Sequence, residues 1–169
     1  MMRIFLVCAM STWLVACGAD LDVIDGTPSD SERTSEALTG QDGALAVTAA
    51  NTVLNNYAAL NADVIAGATS FTVDDATTLN NVTFGNLAAG DLLLIIQMQG
   101  AIINSTDAVG YGAVTDLGNA GRYEFVKVAS VAVNTITIDT GCQTGLRYAY
   151  TSGAAGRTQV VRVPQLSSL

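Results

Sequence analysis

Histidine is absent from all 169 residues. That removes the imidazole base of Ser-His-Asp and Cys-His machinery, and with it the commonest zinc ligand. Cations are scarce: seven Lys and Arg stand against fifteen Asp and Glu, a formal net charge of −8. No basic stripe offsets that balance, so the chain repels phosphate backbones and nucleic acid is excluded as a partner. Proline occurs twice and glycine sixteen times, which is neither collagen-like nor linker-like usage. No apolar run reaches the roughly 20 residues of a membrane-spanning helix. The glycines of "GYG" and "NAGR" lack the spacing that cradles phosphate, so no cofactor site is indicated.

What is present describes a folded domain behind a leader. Half the residues are hydrophobic and 13% are charged, and the length suits one domain with a core of its own. Met1-Met2-Arg3 supplies a positive charge, and Ile4 to Val15 follow as twelve mostly apolar residues. A basic start, a short apolar stretch and small residues after it form a secretory signal peptide. The stretch ends in "LVAC", Leu14-Val15-Ala16-Cys17, which resembles the lipobox of bacterial lipoproteins. The resemblance implies cleavage before Cys17 and a lipid on its sulfur. It also implies export to the outer membrane, at its periplasmic face or the cell surface, since Gly18 and not an aspartate follows. The leader is then residues 1–16. Acyl chains at about 0.8 kcal/mol per buried methylene give a lasting membrane anchor. An ordinary cleavage near Ala16 or Ala19 is the plainer alternative.

Cysteine usage agrees with an anchor. Cys8 leaves with the leader and Cys17 is modified, so Cys142 in "DTGCQTG" is left without a partner for an internal disulfide. With no histidine to activate it, Cys142 reads as a turn or core residue and not a nucleophile. Residues 17–43 then form a polar, acidic tether, with a coil reach of roughly 25–30 Å.

Residues 44–169 read as strands between turns, an all-β sandwich or small barrel of about six to seven strands. "SFTVD" alternates with Phe71 and Val73 on one face, and "NTITID" turns Ile136 and Ile138 inward. The unbroken Leu92–Ile96 run predicts a strand buried on both faces. "RYEFVKVASVAV" has two mixed faces, the mark of an edge or a bulge. "LRYAY" and "TQVVRV" complete the set; as a central strand the latter turns Val161 and Val163 to the core. "ANTVLNNYAAL", residues 50–60, fits either a short helix with a Val53, Tyr57, Leu60 stripe or a strand.

In order, "GATSFTV", "AGDLLLIIQMQGAIINSTD", "GYG", "NAGRYEFVKVASV", "NTITID" and "QVVRVPQ" resemble an amino-terminal module of large exported bacterial surface proteins, some of them labelled adventurous gliding motility proteins. The resemblance implies the front module of a longer protein, and it carries no catalytic motif onto this chain.

Candidate chemistry is sparse. Asp74, Asp75, Asp107 and Asp116 offer oxygen ligands for calcium, but none has the spacing of a dedicated calcium loop and all suit turns that cap their own backbone. Glu124 is the one glutamate beyond the tether, without the second carboxylate a glycosidase needs, and reads as a strand charge beside Arg122 or a cross-strand base. Tyr111, Tyr123, Tyr148 and Tyr150 are available as platforms for sugars; Tyr148 and Tyr150, two apart on one strand face, read as packing residues with hydroxyls at the core's edge. The sequence therefore predicts a lipid-anchored envelope domain, with no cofactor beyond its covalent lipid, that binds or scaffolds and is not an enzyme. Its partners would be the membrane and an envelope protein or polysaccharide. The alternative is the front module of a glycan-active envelope enzyme.

Overall fold

A computed structural model describes residues 40–141 and 144–168. Cys17 and Cys142 lie outside the described residues, as do the leader and most of the tether. The domain is all-β. Among the described residues ten strands occur in the order β1 (Gly43–Ala44), β2 (Tyr57–Ala59), β3 (Ser70–Thr72), β4 (Leu92–Gln97), β5 (Ile102–Ile103), β6 (Val114–Asp116), β7 (Tyr123–Ala132), β8 (Thr135–Asp139), β9 (Thr158–Val163) and β10 (Leu166–Ser168). Six of them form one sheet in the order β2-β9-β4-β7-β8-β3, all neighbours antiparallel. β1 lies parallel to β10, and β5 pairs with β6 in a separate ribbon.

The sheet curls until its two outer strands meet at one corner. Leu60, just past β2, bridges to Val73, just past β3. There the Asp74 amide donates to the Ala59 carbonyl and the Asn61 amide to that of Thr72. The fold is thus a single curled sheet, not two stacked ones. Its concave side holds one apolar cluster that includes Phe71, Val73, Leu79, Leu93, Ile95, Val128, Ile136, Ile138 and Val160. Burying such side chains stabilises the fold by about 1.5–3 kcal/mol each.

Several expectations hold. Phe71, Val73, Ile136 and Ile138 all point inward. A bulge interrupts β7 between Val128 and Ser130, although β7 is an interior strand and not an edge. Others are corrected. Residues 50–60 contain no helix: Val53 and Tyr57 are exposed and only Leu60 of the expected stripe is buried, because this backbone finds its partners by pairing with β9. Tyr148 and Tyr150 share no strand face; Tyr150 makes a lone bridge to Val64 and "LRYAY" is otherwise irregular. β4 is fully buried on one side only, with Leu94 and Ile96 half-buried on the other.

The most consequential correction concerns β9. Thr158, Val160 and Arg162 point inward, and Val161 and Val163 point outward. An arginine on the core side needs a reason, and Asp91 supplies it. The Arg162 Nη2 lies 3.0 Å from the Asp91 Oδ2, with both side chains almost fully enclosed. The same guanidinium donates to the carbonyls of Gly85 at 2.7 Å and Phe84 at 3.1 Å. Asp91 in turn accepts from the Ala88 amide at 2.8 Å. The pair closes one end of the curled sheet and pins the loop over it.

Removing one member of a buried ion pair strands the other's charge, at a cost of about 3–5 kcal/mol. Arg162→Met should therefore lose that much in urea unfolding, and Arg162→Met with Asp91→Asn should recover more than half of it. A loss below about 1 kcal/mol for the single change would contradict this role.

Candidate functional site

The carboxylates expected to hold calcium serve their own turns. The Asp74 Oδ1 accepts from the amides of Ala59 at 3.0 Å and Asp75 at 2.8 Å. The Asp75 Oδ1 accepts from the Thr77 hydroxyl at 2.7 Å and its amide at 2.9 Å, capping the 3-10 turn Ala76–Leu79. Those two bonds hold its carboxyl below the usual aspartate range. The Asp116 Oδ1 accepts from the Gly118 amide at 2.8 Å, and Asp107 is exposed in the turn between β5 and β6. Among the described residues no three metal-ligating side chains come together.

Opposite the Arg162 end, the core is closed by a second polar group of residues. Glu124 lies beside Ile95 of β4 and faces the concave side. Its Oε2 accepts from the Arg147 amide at 2.9 Å and its Oε1 from the Tyr148 amide at 3.2 Å. Glu124 thus anchors the irregular segment after β8; the sequence had pointed to Arg122 or a cross-strand base instead. Arg122 turns to the Tyr148 ring, with its guanidinium carbon 5.5 Å from the ring centre, and Arg147 stands at 5.4 Å from the same ring. Both are within cation–π range.

Tyr150 is 1% exposed, with its hydroxyl buried near the Glu124 carboxylate. Burial first, then the negative charge of Glu124 and hydrogen bonding to its carboxylate, push the phenol well above its ordinary range. Glu124 is near enough to act on Tyr150 through charge while its oxygens stay bonded to the two amides. Gln97 completes this end: its Oε1 accepts from the Thr151 amide at 2.9 Å and its Nε2 donates to the Gln99 carbonyl at 2.7 Å. A Cβ on Gly156 would overlap the Thr151 carbonyl, so this loop tolerates only glycine there. General acid–base chemistry on a glycan needs a carboxylate free to take or give a proton opposite a second one. Each Glu124 oxygen accepts one backbone amide, so this carboxylate anchors the segment after β8.

The convex side of the sheet differs from both closed ends. Register places Tyr57, Val161, Leu94 and Phe125 in one row across β2, β9, β4 and β7. Ala59, Gln159, Ile96 and Tyr123 form the next row on the same strands. Tyr57, Tyr123 and Phe125 are 64%, 58% and 48% exposed. The last two rings meet edge to face at 6.4 Å. Neither row carries a charged side chain, and none of the eight residues belongs to the core cluster. Of these eight, the sequence had singled out Tyr123 alone as a platform for sugars. The signal for Phe125 was the alternation of "YEF", and for Val161 it was the same alternation read in the opposite phase.

No protein-family model matches the chain, and no curated protein does. Among solved structures, it is similar to the Pseudomonas phage phi297 tailspike gp61 at 21% identity and a TM-score of 0.40, covering 63% of this chain and 14% of that one. It is also similar to the gp54 tailspike of Acinetobacter baumannii bacteriophage AP22, solved with A. baumannii capsular saccharide, at 22% identity and a TM-score of 0.39, covering 64% and 15%. The tailspike gp49 of Pseudomonas phage LKA1 follows at 22% and 0.37, covering 64% and 14%. The chain therefore spans about one seventh of the length of these proteins, and the likeness is distant.

The Tyr150 hydroxyl meets at most the Glu124 carboxylate, so Tyr150→Phe should cost no more than about 3 kcal/mol at pH 7. Because the folded state holds the phenolic proton more tightly than the unfolded one, the wild type should also lose stability as the pH rises above about 10. Tyr150→Phe should lose less over that range, as followed by urea unfolding. An alkaline loss of the same size in Tyr150→Phe and wild type would contradict this.

Proposed function

We propose that the chain is a lipid-anchored β module of the bacterial cell envelope, with a non-enzymatic binding, adhesion or scaffolding role. The observation that carries the binding half of this reading is the convex sheet face. It bears three exposed rings, Tyr57, Tyr123 and Phe125, and its charges stand in the adjoining row, where Lys127 lies opposite Asp139. Contiguous exposed apolar surface of this kind marks interaction sites. The anchoring half comes from "LVAC", the apolar run before it and the acidic stretch after it. In the alternative, the module is the front of a glycan-active enzyme. Glu124, the one glutamate of this domain, holds two backbone amides, which favours an anchoring role for it.

The experiment is expression of the full chain in a bacterial host, followed by fractionation and mass spectrometry of the mature amino terminus. The expected product sits in the membrane fraction and begins at a lipid-modified Cys17, and Cys17→Ser leaves that fraction or stays unprocessed. A soluble product starting at another residue, or a Cys17→Ser chain that is processed and retained as before, would overturn the anchoring half.

A further inference from the structure

The convex face differs from the rest of the molecule in charge, size and chemistry, and together these specify an occupant. The chain carries fifteen acidic residues, yet the two rows Tyr57-Val161-Leu94-Phe125 and Ala59-Gln159-Ile96-Tyr123 hold none. They hold no Lys or Arg either, and the adjoining row Val163-Leu92-Lys127-Asp139 sets one cation opposite one anion. A face without net charge on an acidic molecule favours a neutral ligand: an acidic polymer is repelled by the whole and meets only Lys127, which Asp139 opposes on the neighbouring strand.

Size argues next. Four strands spaced about 4.8 Å apart place Tyr57 and Phe125 roughly 14 Å from each other. Successive outward residues Leu94, Ile96 and Met98 extend the patch by roughly 13 Å along β4. With side-chain rims the footprint is on the order of 400 Å², about half of the roughly 800 Å² per partner that a stable protein interface buries. That is too little for a second folded domain and well suited to a single narrow chain.

Chemistry decides between kinds of chain. The apolar floor of Val161, Leu94 and Ile96 is bordered by rings that also carry neutral hydrogen-bonding groups. The Tyr57 and Tyr123 hydroxyls and the Gln159 amide have no partner among the described residues. A hexose has the complementary make-up, with a C–H face to lie on a ring and neutral hydroxyls at its edge.

We propose that the convex face binds a neutral polysaccharide, with sugar faces on Tyr57, Tyr123 and Phe125 and sugar hydroxyls toward Tyr57, Tyr123 and Gln159. The proposal rests on the binding-module reading above and names its ligand class.

The test is affinity gel electrophoresis of the full chain in gels containing the neutral glucans dextran, laminarin or hydroxyethylcellulose, with the polyuronate alginate as the acidic comparison. At least one neutral glucan should retard the wild type and alginate should not. Tyr57→Ala and Phe125→Ala should each weaken the retardation at least tenfold. Tyr57→Phe, which keeps the ring, should retain most of it. Tyr111→Ala, which alters an exposed ring outside these rows, should leave it unchanged. Since these side chains lie outside the core cluster, circular dichroism should show every variant folded. Retardation by alginate alone, by none of the neutral glucans, or equally in all variants would overturn the proposal. Sedimentation equilibrium separates that failure from the broader one. If no neutral glucan binds but the wild type self-associates and Phe125→Ala abolishes this, the face binds its own copy: the ligand class falls and the binding-module reading stands. If neither happens, both fall.

Discussion

The direction in which Arg162 points fixes more of this molecule than any other single choice. A strand's side chains alternate, so turning one residue inward turns its neighbours outward, and a slip by one residue would exchange the two faces. With Arg162 held inside by Asp91 and by the carbonyls of Phe84 and Gly85, Val160 and Thr158 must join the core. Val161 and Val163 must face away from it. The ion pair therefore does two things. It closes one end of the curled sheet, and it places valine on the convex surface, where Tyr57, Leu94 and Phe125 continue the same row. Buried charges are expensive wherever they occur, and this one is retained with nearly its full set of partners.

The two ends of the core are closed in different ways. At one end a charged pair and its loop carbonyls fill the mouth. At the other, Gln97 and Glu124 use their side chains to hold the backbone of residues 147 to 151. Tyr150 is packed among them with its hydroxyl near Glu124. Both ends read as structural closures. Between them the sheet leaves Tyr57, Tyr123 and Phe125 exposed.

Much of the β class was legible from alternation alone, because Phe71, Val73, Ile136 and Ile138 sit where a two-residue period places them. The bulge in β7 was legible from its mixed faces. The phase of β9 was not. In "TQVVRV" the outward arginine is the cheaper local choice, and only Asp91, far off in the chain, reverses it. The irregular course of "LRYAY" was hidden for a similar reason, since the amides of Arg147 and Tyr148 go to the Glu124 side chain and not to a neighbouring strand. Of the convex face, only Tyr123 could be named in advance. A row across four strands exists only once their registers are set.

An open convex face opposite a closed core is the central physical claim, and hydroxyl-radical footprinting on the purified chain and on intact envelopes tests it directly. The account predicts strong oxidation of Tyr57, Met98, Tyr123 and Phe125 in the purified chain and clear protection of the same four in the envelope. Tyr111 should react in both settings, and Tyr150 in neither. Equal reactivity of the four with and without the envelope, or their protection already in the purified chain, would contradict it.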